Sequence, residues 1–336
     1  MDYATLGSTG IRANKNGFGA LPIQRVPEGE AVLLLKKAYD NGIAFYDTAR
    51  FYTDSEQKIG IALGGVRDKI FIATKTMAKT AGAFWEDLEA SLGCLQTDFV
   101  DIYQFHMAPF CPKPGDGSGL YEAMLGAKAQ GKIRHIGISC HKLHVAAEAA
   151  ESGLYETIQY PLSYISTNNE LELIRICNEK NIGVIAMKSL AGGLITNSAA
   201  AYAFLMQFGN VLPIWGVQRE WELDEFIAYQ YAPPSLEDPE IKLAIERDAA
   251  ELSEGFCRGC GYCMPCPAGI EIPTVARMSV LLKRTSPSMW LTEHWRGNMA
   301  RAESCTDCGN CTKNCPYELD TPGLIRESRA EYQKYL

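Results

Sequence analysis

From about residue 15 to residue 230 the chain passes through eight short apolar stretches separated by segments of helical periodicity. The stretches are Asn16–Ala20, Ile43–Asp47, Ile70–Lys75, Val100–His106, Ile133–Ser139, Thr157–Tyr160, Val184–Lys188 and Val211–Gly216. Between them lie segments such as Glu30–Asn41, Phe84–Leu95, Leu120–Gln130, Leu171–Asn181 and Ala199–Phe208, several with Leu or Ile at three- and four-residue spacing. This alternation produces parallel strands joined by crossover helices, because a parallel neighbour is reached only through a connection long enough to cross the sheet. Eight alternations favour a closed barrel over an open doubly wound sheet. No G-x-G-x-x-G follows the first strand, which removes the usual dinucleotide fingerprint of the open alternative. The expected fold is therefore an α/β (β/α)8 TIM barrel. Such a barrel needs roughly 250 residues, so a chain of 336 residues has room for a second, small domain.

The composition changes after Tyr231. Ala232-Pro233-Pro234-Ser235 breaks the pattern and a helix-like Ile241–Leu252 follows, which places the boundary near residue 235 and predicts a barrel over 1–235 and a small, largely helical domain over 236–336, which its cysteines identify as ferredoxin-like. Of the 12 cysteines, Cys94, Cys111, Cys140 and Cys177 are scattered, and the rest lie between Cys257 and Cys315. One set reads Cys257-x2-Cys260-x2-Cys263-x2-Cys266-Pro267 and the other Cys305-x2-Cys308-x2-Cys311-x3-Cys315-Pro316. Triple two-residue spacing followed by Cys-Pro is the bacterial ferredoxin pattern and predicts two [4Fe-4S] clusters. In that pattern three sulfurs of one turn share a cluster and the fourth Cys reaches the other. Cys257, Cys260 and Cys263 then pair with Cys315, and Cys305, Cys308 and Cys311 with Cys266. The shorter spacing before Cys266 departs from the rule and makes its partner the less determined of the two. Two zinc sites are the alternative, since C-x2-C pairs also build tetrahedral centres; the third C-x2-C step and the terminal Cys-Pro of each run favour clusters. The intervening stretch with Leu281, Trp290 and Trp295 reads as apolar packing, with His294 on the surface or in the core and no ligand.

A net charge of -8, without any Lys/Arg-rich run, provides no field for phosphate backbones, so nucleic acid is not an expected partner. Met1-Asp2-Tyr3 opens without a basic region followed by an apolar stretch, so cytoplasmic residence is expected. Ser189 to Gln218 contains no charged residue and is long enough to span a bilayer. Gly192, Gly193, Asn197, Gln207, Asn210 and Pro213 divide it into a loop, a short helix and a buried strand, so no membrane association is expected.

Active sites of such barrels form at the C-terminal ends of the strands. Asp47, Lys75 and His106 close the second, third and fourth strands, and Tyr52 follows in the loop after Asp47. A Tyr near its reference pKa of about 10 is a poor proton donor until its neighbours make it more acidic. A Lys75 ammonium would favour the tyrosinate, Asp47 would hold that ammonium, and His106 could hydrogen-bond a substrate oxygen.

Over nearly all of residues 1–230 the sequence resembles the aldo-keto reductases. The resemblance lies in YATLGSTG and NGFGALP at the start, FYDTARFY followed by SEQKIG, LEASLGCLQTDFVDIYQFH, GKIRHIGIS and IQYPLS, all in order. It implies that Asp47, Tyr52, Lys75 and His106 are the catalytic four. It also implies a nicotinamide cofactor, NADP(H) or NAD(H), across the barrel mouth: Gly19 at the end of the first strand, Ser139 and Gln159 at the carboxamide, Lys188 and Leu190 in the Lys188–Gly193 loop at the pyrophosphate, and Gly216, Gln218 and Arg219 at the adenosine phosphate. Arg219 is the candidate for a 2′-phosphate contact, because a guanidinium pairs bidentately with phosphate. Cys140 stands where many relatives have Asn, and Met187-Lys188 where many have a stacking aromatic residue.

The resemblance is to members with a ferredoxin-like tail, and it implies an oxidoreductase that reduces a small carbonyl compound. Clusters pass single electrons whereas nicotinamide delivers hydride, and no flavin motif is visible to convert between them. The alternatives are an electron-transfer protein whose barrel docks a ferredoxin-like or other redox protein, and an enzyme that removes a substituent from its substrate with cluster electrons.

Overall fold

The computed structural model describes residues 2–252 and 255–336. The chain forms two compact units: one holds the stretch up to Ser189 together with Ala199–Ile241, and the other holds Leu190–Ser198 together with Lys242–Leu336.

The first unit opens with an antiparallel hairpin, β1 (Tyr3–Thr5) and β2 (Arg12–Asn14), whose strands are too short to announce themselves in the sequence. Eight parallel strands follow: β3 (Gly17–Gly19), β4 (Phe45–Asp47), β5 (Phe71–Thr76), β6 (Val100–Phe105), β7 (Ile133–Ser139), β8 (Thr157–Pro161), β9 (Gly183–Met187) and β10 (Val211–Gly216). They pair in chain order, and β10 also pairs with β3, so the sheet closes into the expected barrel. The intervening helices are α1 (Glu28–Asp40), α2 (Ser55–Leu63), α3 (Ala81–Leu95), α4 (Leu120–Ala129), α5 (Leu143–Ser152), α6 (Asn168–Glu179) and α7 (Ser198–Met206), and α8 (Glu220–Tyr231) follows β10.

Local chemistry sets these elements. β6 and β9 are buried along their whole length, as strands covered on both sides must be; β9 reads as a continuous apolar run, whereas β6 buries Asp101 and Gln104 among apolar residues. α6 begins where Thr167 and Glu170 form a capping box and buries Leu173, Ile174 and Cys177 on one stripe. The hairpin closes the end of the barrel at which the strands begin: a Cβ on Gly183 would lie 2.7 Å from Leu6, and Ala4, Leu6, Ile11 and Ala13 share a core with Phe45, Ile102, Ile185 and Leu212. The uncharged Ser189–Gln218 run becomes a loop, α7 and β10, and no helix among the described residues is long and apolar enough to cross a membrane.

The second unit is helical. α9 (Pro239–Leu252) leads into it, followed by α10 (Ile272–Val275), α11 (Met278–Arg284), α12 (Glu293–Arg301), α13 (Asn310–Asn314) and α14 (Thr321–Gln333). Ile272, Val275, Met278, Leu282, Met299, Ile325 and Tyr332 form its core, with Trp290 and Trp295 packed against it, while the His294 side chain is 67% exposed.

Candidate active site and cluster sites

The C-terminal ends of β4 and β5 place two opposite charges in the barrel interior. Lys75, fully buried, donates to both Asp47 carboxylate oxygens at 2.8 and 2.7 Å and to the Thr48 carbonyl at 2.6 Å. Burial raises the Asp47 carboxyl and lowers the Lys75 ammonium, and each partner opposes the shift of the other. The loop after Asp47 is pinned by Ser55, whose hydroxyl bonds to Thr48 and to the Ala20 carbonyl, both at 2.9 Å. This places the Tyr52 ring with the Lys75 Nζ 5.3 Å from its centroid and the His106 ring edge-on at 5.5 Å.

The electrostatics of Tyr52 differ from the sequence expectation. Burial, with the Asp47 charge adding to it, raises its pKa well above the ordinary tyrosine value. Lys75 does not reverse this in the resting site, because Asp47 already pairs with its charge. The Tyr52 hydroxyl thus keeps its proton across the neutral range.

Burial, with the Lys75 charge adding to it, pushes His106 down to about 3. Between that value and the reference pKa of about 6.5 the unfolded chain binds the proton and the folded chain does not, so this contribution to stability rises with pH across the window and is lost as pH falls through it. His106→Gln is expected to flatten that part of the profile. Urea midpoints measured at pH 5 and pH 8 test this, and an unchanged difference between the two pH values would show that another group is responsible.

A polar chain runs beneath the ion pair. Gln104 Nε2 donates to Gln159 Oε1 at 2.8 Å, and Gln159 Nε2 donates to Asp47 at 3.4 Å. Room for Gln104 comes from Gly137 in β7, where a Cβ would fall 2.9 Å from the Gln104 side chain and 2.5 Å from Thr157. Gln104 lies within the DIYQFH stretch but outside the expected site residues; its sequence signal is a polar residue near the end of a buried strand.

Of the remaining residues, Ser139 is paired in register with Gln159, Gly19 with Asp47, and Gly216 with Gly19, so all three border the same rim. Gln218 is half-buried and Arg219 exposed at the start of α8, where Glu222 accepts the backbone N–H of both. Lys188 (φ 56°) follows β9, and Leu190 belongs to the second unit. The Ser189 hydroxyl between them is buried and, among the described residues, has no hydrogen-bond partner, which leaves it available to a bound phosphate oxygen. Cys111 and Cys140 are buried, which pushes their thiols up to about 11 and about 12 and makes them poor nucleophiles.

In the second unit the cysteines gather around two small cavities. Cys257, Cys260, Cys263 and Cys315 line one, with Tyr317 and Leu319. Cys266, Cys305, Cys308 and Cys311 line the other, with Cys263 also at its edge and Ile270, Pro322 and Ile325 as apolar walls. Cys sulfurs spaced around each cavity form a donor set of the kind that holds an iron–sulfur cluster.

Comparison with known proteins gives two family matches: the aldo/keto reductase family over residues 15–207 and a 4Fe-4S dicluster domain over residues 256–320. The chain is 30% identical to the L-galactose dehydrogenase of Arabidopsis thaliana over 215 residues, covering 58% of this chain and 67% of that protein. It is 30% identical to the uncharacterized oxidoreductase YrpG of Bacillus subtilis over 230 residues, covering 59% of this chain and 69% of the other. An aldo/keto reductase from Klebsiella pneumoniae, solved in complex with NADP and acetate, superposes with a TM-score of 0.61 at 22% identity, covering 74% of this chain and 95% of that one.

Proposed function

The chain belongs to the aldo/keto reductase family and carries a 4Fe-4S dicluster domain, and on that premise we propose that it reduces a small carbonyl compound with NADP(H) or NAD(H), using Tyr52 as the proton donor. The observation that carries this reading is the buried Asp47–Lys75 pair beneath the Tyr52 ring, with His106 at the ring's edge. A scaffold that only docked a partner would have no use for two charges buried in that arrangement.

Bound nicotinamide supplies the hydride. The other roles fall to the chain's own side chains. Tyr52 is protonated throughout the neutral range and holds its proton at Oη until an alkoxide develops on the substrate. As that proton leaves, the tyrosinate faces the Lys75 ammonium, whose charge then acts on the transition state more than on the resting site. Asp47 keeps the ammonium in place, and the chain from Gln104 through Gln159 steadies Asp47. His106, neutral at physiological pH, offers one N–H to the carbonyl oxygen without competing as an acid.

Gly19, Ser139, Gln159, Lys188, Leu190, Gly216, Gln218 and Arg219 are assigned to the nicotinamide cofactor. NADP is favoured by Arg219 and by the NADP-bound Klebsiella relative. The family-matched cysteines are assigned to two [4Fe-4S] clusters in the crossed arrangement, Cys257, Cys260, Cys263 and Cys315 to one and Cys266, Cys305, Cys308 and Cys311 to the other. The barrel over 1–235 and the cluster domain over 236–336 are assigned as the two functional domains. A redox protein is the proposed source or acceptor of cluster electrons.

Protein prepared without oxygen should bind NADPH in a fluorescence titration and consume it when offered simple aldehydes and ketones. Absence of both would overturn the reading in favour of an electron-transfer module. Arg219→Ala is expected to weaken NADPH by about tenfold, the worth of one charge-assisted contact, and to leave NADH within about twofold. Equal losses for the two would remove Arg219 from the 2′-phosphate.

A further inference from the structure

Arg277 lies between α10 and α11 in surroundings unusual for a half-buried guanidinium. Its Nε donates to the Pro273 carbonyl at 2.7 Å and its Nη1 to the Gly192 carbonyl at 3.1 Å. Among the described residues, the ionisable groups that face it are Cys257 and Cys260, and no carboxylate does. Arg284, one helix further on, makes an instructive contrast. It donates to the Leu194 carbonyl at 2.7 Å but is neutralised by Asp248 at 2.8 Å and Glu251 at 2.7 Å. Two arginines thus hold the Leu190–Ser198 segment, one with carboxylate partners and one facing cysteines.

Two glycines enclose the Arg277 guanidinium. A Cβ on Gly259 (φ 60°) would lie 2.9 Å from Cζ, and one on Gly192 (φ 67°) would lie 2.9 Å from Nη1. Gly259 belongs to the Cys257–Cys260 turn and Gly192 to the Leu190–Ser198 segment, so the side chain touches both backbones at distances only glycine allows. A guanidinium taken out of water needs a counter-charge. The thiolates of Cys257 and Cys260 supply it when they ligate iron.

We propose that Arg277 is a positioning residue that couples the cluster held by Cys257, Cys260, Cys263 and Cys315 to the Leu190–Ser198 segment, so that the charge at these sulfurs governs how tightly the segment is held. The proposal rests on the cluster assignment made above. One electron from a low-potential donor adds one negative charge at the sulfurs; no bond is made or broken. The guanidinium is then drawn toward the sulfurs and its bond to the Gly192 carbonyl weakens. Coupling of this kind is reciprocal, so loosening the segment favours reduction of the same cluster.

The test uses iron-replete full-length protein prepared without oxygen. Arg277→Gln should lower the equilibrium constant for reducing one cluster by about tenfold, equivalent to 59 mV for one electron, and leave the other unchanged in a titration followed by electron paramagnetic resonance. Arg277→Lys, which keeps the charge, should restore the potential. In the wild type, amide hydrogen exchange over residues 190–198 should quicken when dithionite reduces the protein, and in Arg277→Gln it should no longer depend on reduction. Arg284→Gln should quicken exchange in both states without moving either potential. Unchanged potentials in Arg277→Gln, or wild-type exchange indifferent to reduction, would overturn the coupling. Absence of any reducible cluster in the iron-replete protein would instead remove the cluster assignment on which the coupling rests.

Discussion

Replacing Tyr52 with Phe is expected to lower the turnover number for carbonyl reduction by about 10²–10⁴, the usual worth of a positioned proton donor, while NADPH affinity stays within about twofold. The substitution removes one hydroxyl and leaves the ring, and with it the contacts to Lys75 and His106. Because the hydroxyl acts as the alkoxide forms, kcat and kcat/KM should fall together. Its raised pKa also fixes the sign of the pH dependence. Tyr52 loses its proton only above its elevated folded value, so activity should show no loss from its ionisation between pH 6 and 9, and any acid limb should come from a group other than His106, which is already neutral there. Stopped-flow turnover across that range, with NADPH binding measured in parallel, checks both statements. A Tyr52→Phe enzyme that turns over like the wild type would end the assignment.

Cys315→Ser and Cys257→Ser are expected to damage the same cluster although they stand at opposite ends of the motif region. Both line the cavity that also holds Cys260 and Cys263, while Cys308 lines the other cavity with Cys266, Cys305 and Cys311. Each variant should lose about half the iron. The reduced-state resonance signals of Cys315→Ser and Cys257→Ser should match each other and differ from that of Cys308→Ser. Cys257, Cys263, Cys266, Cys305 and Cys311 also pack on the core formed by Ile272, Met278 and Ile325, so losing a cluster should lower the melting temperature of the helical unit as well. A Cys315 variant that resembles Cys308→Ser would rule out the crossed arrangement. About two zincs in place of iron would rule out clusters altogether.

The sequence by itself determined what is local or periodic. Eight apolar stretches at crossover spacing specify a parallel barrel because the connection lengths permit little else, and the structure ends those strands within a few residues of where the pattern does. The chemical types at the strand ends were legible for the same reason: a barrel strand's last residue must face the rim. Two-residue cysteine spacing likewise dictates a tight turn with three sulfurs on one side. Tertiary structure decided whatever depends on burial or on the meeting of distant segments. The sequence pairs Lys75 with Tyr52 and predicts a more acidic phenol, but the depth at which the ring lies and the prior claim of Asp47 on the ammonium reverse the sign. Gln104 reaches Gln159 only because Gly137, its register partner on the neighbouring strand β7, leaves room for it. Which cavity Cys266 borders, open from its shortened spacing, is set by the walls that Ile270, Pro322 and Ile325 bring together from distant parts of the chain. The Leu190–Ser198 segment, continuous in sequence with barrel elements, packs instead with the cluster-bearing unit, because Arg277 and Arg284 find their carbonyl acceptors there.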